Sequence, residues 1–441
     1  MCDKYSQKEV ELLEKRIADL EKRCKDLEKI VTACTNSFIP SSKRIIKETV
    51  SDEPKEPKKK GAPIGHPGTT RETSEPDSEK IINPTSCPIC NGVKLRILKP
   101  RKKTVEDIEM IKHTTAYTYF DCQCEECKAR FTTTHSEMPI EGKFGPNISA
   151  LWTLLHYKGT IPFDRLCSIS ASGFKMPVSV GGIQNVIYRN AKTFKPEFNK
   201  IWKNVSESKY AKSDETGYSF NGERYWVWNI SAGNDTLVLM RKSRGSKVLK
   251  EVFGEFFDGV LLSDCFSAYG KFNAKEYAKC WAHILVAGRD LAKYSSEGKE
   301  LYEILCRMYE YIKNTKKNNL ENTYAVKQWI NRAIRKFILL SKTEYGSKAV
   351  LNLALRLEKY KEQWFTCLKY PEVEPTNNGS ERDIRKIVLS RKVSGLHRSI
   401  LGIRSREIMM SVLLTEQKNG QNPYAYVQNG LKNYNSGTNG S

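Results

Sequence analysis

The sequence predicts a multidomain α/β protein, and three observations lead to that fold class. The chain has 441 residues, which is enough for several domains of ordinary size. Its composition is 39% hydrophobic and 10% aromatic, which excludes a wholly disordered chain. Residues 209–264 read in the order strand, strand, strand, helix, strand, and that order opens an RNase H-like catalytic core. Around this core we expect an N-terminal coiled coil, a zinc ribbon and a helical insertion.

The charge of the chain predicts a polyanionic partner. Lys and Arg number 73 against 51 Asp and Glu, so the formal net charge is +22, and nucleic acid is the most plausible partner. No apolar run is long enough to span a membrane, and the charged N-terminus lacks a signal-peptide core. We therefore expect a soluble cytoplasmic protein without a membrane partner. Charge alone does not separate an enzyme from a packaging protein.

Residues 1–39 are predicted to form a coiled coil because apolar residues repeat every seven positions among charged ones. One seam position is taken by Val10, Ile17, Cys24 and Val31, and the other by Leu13, Leu20, Leu27 and Cys34. This pattern favours self-association into a homodimer or a higher oligomer. The alternative is a single amphipathic helix that packs on the body of the protein.

Residues 40–84 are predicted to be a basic linker. Six prolines interrupt any helix between Pro54 and Pro84, and Lys58, Lys59 and Lys60 form a basic run. The stretch could lie along a phosphate backbone, but a solvated tether fits the composition equally well.

Residues 85–136 contain two C-x-x-C pairs, which predict a zinc ribbon. Cys87, Cys90, Cys124 and Cys127 would close a tetrahedral shell of thiolates, so the zinc would be structural rather than catalytic. Strand-like stretches at 93–98 and 115–120 lie between the pairs. Cys122 is a competing ligand because it forms a C-x-C with the second pair.

Residues 137–205 read as helical. A glycine at position 173 separates two short helical patterns, which is the spacing of a helix-turn-helix that could bind DNA. Ordinary packing of helices explains the same pattern equally well.

The predicted catalytic core, residues 206–284, carries two carboxylates at strand ends. Asp214 lies in the first strand, which leads to a hairpin turn at Asn221-Gly222, and Asp264 follows a buried apolar strand. In an RNase H-like arrangement these two acids meet a third from a later helix, and together they hold two Mg²⁺ ions. A carboxylate by itself is usually an ordinary surface residue, so this prediction depends on the order of the strands and not on the residue type.

Glu381 is the predicted third acid because helix-entry residues at 376–380 place it in a first helical turn. Glu215 and Asp383 are rivals for metal ligation. Basic residues in the same predicted helix indicate a face that could bind DNA phosphates. Its basic residues are Arg382, Arg385, Lys386, Arg391 and Lys392.

Four strings in this order, SDETG, LLSDCFSAY, CWAH and PTNNGSERDIRKIVLSRK, resemble the DDE transposases of the insertion sequence 66 family. The resemblance extends to the N-terminal heptads, the NSFIPSSK and GHPGTTR stretches and the C-x-x-C pairs, and so covers essentially the whole chain. It implies Asp214, Asp264 and Glu381 as the catalytic triad, and Mg²⁺ or Mn²⁺ as cofactor. It also implies His283 in CWAH as an accessory catalytic candidate, although a histidine packed at a helix start is an equally good explanation.

The resemblance further implies a DNA transposase that cleaves the ends of an element and joins them to target DNA. Its partners would be double-stranded DNA, namely the terminal inverted repeats and the target, and the accessory proteins that such elements often encode; the cell would be prokaryotic. Residues 285–370 fit the family's helical insertion, and 371–441 would complete the core and form a tail. Two alternatives remain from the residues: an RNase H-like nuclease without joining activity, and an inactive zinc-ribbon DNA-binding protein.

Overall fold

A computed structural model describes residues 16–17, 75–393 and 399–437 of the chain. The predicted coiled coil, apart from two helical residues, and most of the predicted linker lie outside the described residues. The chain divides into two compact units, one made of residues 48–113 and the other of the remainder. None of the described helices is long and apolar enough to cross a membrane.

In the unit of residues 48–113, the described part, 75–113, has turns but neither helix nor strand. The strand expected at 93–98 is therefore wrong. Its apolar side chains are exposed, with Val93 at 77% and Leu98 at 87%, so no packed face stabilises a pleated strand there. The second expected strand, 115–120, is displaced: the first strand begins at Asp121, just after the expected stretch ends, and forms a short hairpin of β1 (Asp121–Gln123) and β2 (Arg130–Thr132).

In residues 114–206, four helices precede the main sheet of the larger unit. They are α1 (Pro146–Tyr157), α2 (Phe163–Ser172), α3 (Val180–Thr193) and α4 (Lys195–Ser206). The start of α3 is capped by Ser179, whose side chain accepts the backbone N–H of Gly182. Pro146 and Pro196 stand in the first turns of α1 and α4, where their missing N–H costs no hydrogen bond.

The main sheet has five strands, and a short helix separates its first three strands from its last two. In chain order they are β3 (Tyr210–Phe220), β4 (Glu223–Ala232), β5 (Asp235–Arg241), helix α5 (Lys247–Phe253), β6 (Phe256–Ser263) and β7 (Asn273–Lys279). In space the order is β5-β4-β3-β6-β7, antiparallel among the first three and parallel from β3 to β7. Asn221 and Gly222 both have positive φ, 49° and 79°, as the predicted tight hairpin turn requires.

The second half of the chain is helical apart from these strands. It contains α6 (Trp281–Ala292), α7 (Ser296–Lys317), α8 (Tyr324–Lys342), α9 (Lys348–Lys359), α10 (Asn378–Val393), α11 (Ile400–Lys418) and α12 (Pro423–Asn435), with single 3-10 turns at Tyr269–Lys271 and Gln363–Leu368. Helix α10 contacts β3 and β4, and α11 contacts β5.

Side chains of α11 satisfy the free edge of β5. The backbone N–H groups of Thr236, Val238 and Met240 donate to Thr415 Oγ1, Ser411 Oγ and Glu407 Oε1 at 3.0, 2.9 and 2.7 Å. Four helical residues rise about 6 Å and two strand residues about 6.6 Å, so the two repeats stay in register over this length. The edge strand is thus closed to further pairing.

Two hydrophobic cores flank the sheet, and β6 contributes to both. Leu261 packs in the core that contains Trp152 and Trp228, whereas its neighbours on either side pack in the core that contains Trp281 and Trp364. Alternate residues of a strand point to opposite faces, so one apolar strand can serve both cores. This strand ends at Ser263, and the residue that follows is one of the predicted acids.

Candidate active site

Asp214 lies in the middle of the sheet, in β3, opposite Asn229 of β4. Its Oδ1 accepts the backbone N–H of Glu215 at 2.9 Å. Burial raises the pKa of Asp214 to about 8, and the negative charge of Glu215 acts in the same direction. Asp264 and Glu381 add smaller contributions of the same sign, so the three predicted acids are close enough to interact.

Asp264 follows β6 at the carboxyl end of that strand. Because β3 and β6 run parallel with Lys212 opposite Leu262, Asp214 and Asp264 stand at the same level of the sheet. Asp264 Oδ1 accepts the N–H of Phe266 at 2.8 Å, and its carbonyl accepts the buried ammonium of Lys279 at 2.8 Å. These two bonds fix the orientation of the residue at the strand end.

Glu381 is placed beside these acids by the first turn of α10. The start of that helix is anchored to the sheet, because Asn377 Nδ2 donates to the Ser213 carbonyl at 3.0 Å and Asn229 Nδ2 donates to the Ser380 carbonyl at 3.1 Å. The backbone N–H of Glu381 donates to the Asn377 carbonyl at 3.1 Å. The side chain of Glu381 is 38% exposed, so it can reach a ligand.

His283 lies one turn into α6 and faces the third acid. Its Nδ1 is 3.6 Å from Glu381 Oε1, which is too long for a hydrogen bond. Burial lowers the pKa of His283, but hydrogen bonding to Cys280 and the nearby carboxylates outweigh burial and raise it above its usual range. The structure thus brings all four predicted catalytic residues into one neighbourhood.

Glu215, a predicted rival ligand, has partners of its own. Its side chain is 1% exposed; Oε1 accepts Nε and Nη2 of Arg244 at 3.0 and 2.9 Å, and Oε2 accepts the hydroxyl of Tyr269 at 2.5 Å. The guanidinium of Arg244 lies between two rings, 3.7 Å from Phe266 and 4.4 Å from Trp226. Burial raises the pKa of Glu215 to about 7, and these two partners oppose the rise.

Asp383, the other rival, is also paired inside the protein. It is 4% exposed, with Oδ2 2.8 Å from the ammonium of Lys418 and Oδ1 3.7 Å from that of Lys386. In contrast, no lysine or arginine among the described residues forms an ion pair with Asp214, Asp264 or Glu381. The two rival acids therefore have basic partners within the protein, whereas the three predicted catalytic acids form no ion pair with a lysine or arginine of the described residues.

The predicted DNA-binding residues of α10 fall into two groups. Arg382, Arg385 and Lys392 are exposed along the outer face of the helix. Arg391 instead donates to the Gly217 carbonyl in β3, and Lys386 lies 3.4 Å from Gln417 and close to Asp383. Only the first group is open to phosphates without breaking a contact.

Two features were missed by reasoning from sequence. Arg244 lies in the loop after β5 and gave no local signal, because its importance depends on Glu215, which lies 29 positions earlier. Helix α8 did carry a signal, since it contains no acidic residue. All its basic residues are exposed: Lys327, Arg332, Arg335, Lys336 and Lys342.

The two C-x-x-C pairs adopt the same local turn. In each, the first cysteine exchanges backbone hydrogen bonds with residues four and five positions later, at 2.8 and 2.9 Å for Cys87 and at 3.0 and 2.9 Å for Cys124. Asn91 and Lys128, one position after each pair, have matching positive φ values of 60° and 61°. Hydrogen bonds from the backbone of each turn lower the pKa of Cys87 and Cys124, which favours thiolates as metal ligands.

Comparison with known proteins agrees with the resemblance. The family model described as "Transposase IS66 family" matches residues 141–405, which include the sheet, the three acids and His283. An uncharacterized protein, y4jO of Sinorhizobium fredii (strain NBRC 101917 / NGR234), is 26% identical over 178 residues. That match covers 38% of this chain and 51% of the relative, so the chain spans about half the length of the curated relative it matches.

Proposed function

This chain belongs to the IS66 family of transposases, and from that premise we propose that it cleaves DNA at the ends of an insertion sequence and joins the freed ends to target DNA. One observation carries the proposal. Asp214, Asp264 and Glu381 lie together at the carboxyl end of β6, and no lysine or arginine among the described residues forms an ion pair with their carboxylates. Clustered carboxylates repel one another, so a divalent cation bound among them would stabilise their charged forms.

We propose that the five-stranded sheet is an RNase H-like core, in which the first strand and the fourth carry the first two acids. The spatial order β5-β4-β3-β6-β7, antiparallel and then parallel, supports this assignment. Residues 206–284 and 371–441 would form the core, and 285–370 the insertion between the second acid and the third.

Asp214, Asp264 and Glu381 fit a pair of hard divalent cations because each offers carboxylate oxygens. Mg²⁺ or Mn²⁺ bound there would polarise the scissile phosphate and stabilise the leaving oxygen. In the proposed reaction water attacks phosphorus at the element's end, and the bond to the 3′-oxygen breaks to free a 3′-hydroxyl. This hydroxyl then attacks a phosphate of the target strand and displaces that phosphate's 3′-oxygen. His283 would donate a proton or a hydrogen bond to a phosphate oxygen beside Glu381.

DNA would approach along the exposed cations of α10. Arg382, Arg385 and Lys392 follow Glu381 on one helical face, so phosphates bound to them would lead the strand toward the acids. The outer face of α8 offers a second cationic surface in the insertion. Such contacts position DNA without reading its sequence.

The N-terminal segments would serve recognition and assembly. Zn²⁺ on Cys87, Cys90, Cys124 and Cys127 would be structural, and the matching turns of the two pairs support these four over Cys122. Residues 137–205 would contribute to terminal-repeat binding, the coiled coil would pair protomers, and accessory proteins of the element would join the complex. Elemental analysis should find about one zinc per chain bound by these cysteines, and this ion should be lost when Cys87 and Cys90 are replaced by serine.

The proposed activity is tested with a labelled duplex that carries an element end, supplied with Mg²⁺. Nicking at the end and joining of a pre-cleaved end to plasmid are expected for the wild-type chain, and both should disappear in Asp264→Asn. The matched control is Asp258→Asn in the same strand, an exposed residue that pairs with Lys209 and Lys275. Nicking without joining would indicate a nuclease, and DNA binding without either would indicate an inactive DNA-binding protein.

A further inference from the structure

A group of three possible metal ligands overlaps the cluster of acids. Cys280, His283 and Glu381 each offer one ligand atom, and these three atoms lie within 4.8 Å of one another. Unlike the cluster of three carboxylates, this group combines a sulfur, a nitrogen and an oxygen atom as ligands. Sulfur and imidazole nitrogen favour zinc and similar cations over Mg²⁺.

The backbone prearranges the two softer ligands. Cys280 immediately precedes α6, and His283 follows three residues later, so the helix places both on one side of its first turn. The sulfur of Cys280 accepts the backbone N–H of Asn377 at 3.1 Å. Hydrogen bonds of this kind to a coordinating sulfur orient and stabilise the ligand. His283 Nδ1 is buried, and none of the described residues is hydrogen-bonded to it, so this nitrogen offers a ligand position.

The third ligand comes from the other side of the cleft. Glu381 Oε1 is 3.6 Å from His283 Nδ1, and neighbouring ligands of a tetrahedral zinc ion are about 3.3 Å apart, as bond lengths near 2.0 Å require. A shift of a few tenths of an ångström would bring these two atoms to that spacing, and the Cys280 sulfur lies within 4.8 Å of both residues' ligand atoms. The side chains of His283 and Glu381 are 27% and 38% exposed, which leaves a route for an ion and for a water in the fourth position.

We propose that Cys280, His283 and Glu381 form a binding site for Zn²⁺ or a similar borderline-soft divalent cation, and that this site inhibits the enzyme because it takes Glu381 from the Mg²⁺ site. Binding follows from the three ligands alone. Inhibition also rests on the proposed function, in which Glu381 holds a catalytic ion. Because one carboxylate serves both sites, the two modes of metal binding exclude each other.

Binding is tested without DNA by titrating the full chain with Co²⁺ as the probe. A thiolate ligand gives a sulfur-to-cobalt charge-transfer absorption that a site made only of carboxylates does not give. Replacing Cys280 with serine should reduce this absorption and lower the bound Co²⁺ by about one ion per chain. The cysteine pairs at 87–90 and 124–127 bind Co²⁺ equally in both proteins and cancel in the comparison.

The matched control is Cys306→Ser, a half-buried cysteine in α7 that belongs to no such cluster among the described residues. It should keep the wild-type spectrum. His283→Gln, which retains the thiol, should also lose the ion and serves as the deciding variant if Cys280→Ser does not fold. Wild-type stoichiometry and spectrum in both the Cys280 and the His283 variants would overturn the site.

Inhibition is tested by adding micromolar Zn²⁺ to the nicking reaction in millimolar Mg²⁺. We expect at least about tenfold inhibition of the wild-type chain, and an inhibitory concentration at least about tenfold higher for Cys280→Ser. Each rate is compared with that of the same variant without Zn²⁺. Equal sensitivity of the two proteins would refute the inhibitory role. A chain that binds Co²⁺ through Cys280 but never nicks DNA would contradict the proposed function and leave the metal site standing.

Discussion

Asp214 and Glu215 are neighbours in β3, but their carboxylates lie on opposite faces of the sheet and meet opposite surroundings. Glu215 is held by the guanidinium of Arg244 and the hydroxyl of Tyr269, both in direct hydrogen bonds. Asp214 accepts one backbone amide and otherwise lies near other acids and His283. Burial raises the pKa of both groups, to about 8 for Asp214 and about 7 for Glu215.

This difference separates a carboxylate whose partner is built into the fold from one for which we propose a bound cation as partner. A buried charge that lacks a partner is costly, and a chain retains it where a ligand supplies the missing charge. The same distinction applies to cations, since Arg391 binds Gly217 within the protein whereas Arg382 points to solvent. Surroundings therefore predict which charges act in function and which act in folding.

The largest expected effect tests the two neighbours directly. Asp214→Asn should lower the nicking rate by at least about 1,000-fold, because loss of a carboxylate from the proposed metal site would remove charge stabilisation in the transition state. It should leave the thermal midpoint of the metal-free protein unchanged or higher, since asparagine does not ionise and so removes the cost of burying a carboxylate there. Rates and melting curves measured on the same preparations check this. An active Asp214→Asn enzyme would show that the acid is not part of the site.

The next effect concerns the built-in partner of Glu215. Arg244→Met should lower the free energy of unfolding by about 3 kcal/mol, because the buried carboxylate loses its counter-ion. Adding Glu215→Gln to that variant should restore part of the loss, since no charge is then left unpaired. Urea denaturation of the two single variants and the double variant measures the coupling between the residues. Additive effects would contradict the pairing.

His156 is a buried histidine whose titration should change the free energy of unfolding by up to about 3 kcal/mol between neutral and acid pH. Burial lowers the pKa of His156 to about 4, and the positive charge of Arg406 contributes. His156 Nδ1 is hydrogen-bonded to the Ile161 carbonyl at 3.0 Å, and its ring stacks on Phe163. The unfolded state gains a proton on this residue before the folded state does, so its contribution to stability is present above about pH 6.5 and is lost as the pH falls to about 4.

Comparison of His156→Gln with the wild-type chain isolates this contribution. The variant keeps a side-chain donor but does not titrate, so its free energy of unfolding should fall less steeply than that of the wild type between pH 6.5 and 4. Urea denaturation at several pH values measures both slopes. Parallel curves would mean that His156 does not remain neutral in the folded protein.

The smallest expected effect distinguishes Arg382, an exposed cation of α10, from Arg391, which is hydrogen-bonded within the protein. Arg382→Ala should weaken DNA binding by about 1 kcal/mol or less and reduce the salt dependence of binding by about one phosphate contact. Its melting temperature should not change. Arg391→Ala should instead lower the melting temperature, because its bond to β3 is lost. Binding isotherms at several salt concentrations separate the two; an equal salt dependence for Arg382→Ala and the wild type would remove Arg382 from the proposed DNA path.

Local patterns in the sequence were sufficient for much of the fold. The order of strands β3 to β6, the helix between them and the turn at Asn221-Gly222 were all predicted and are present. Strand periodicity and turn chemistry act over a few residues, so they can be read directly. The same rules failed at 93–98, because an apolar alternation becomes a strand only where a partner and a packed face exist.

The sequence by itself determined the strand order, the family and the short list of acids from which the site is drawn. Only the tertiary structure separated Asp214 from Glu215, because Arg244 and Tyr269 reach Glu215 from 29 and 54 positions away. It alone brought Glu381 to His283 and Cys280, and it alone set Ser411 against the edge of β5. Local structure depends on neighbours in the chain, whereas the partner of a charge depends on which distant segments the packed cores bring together.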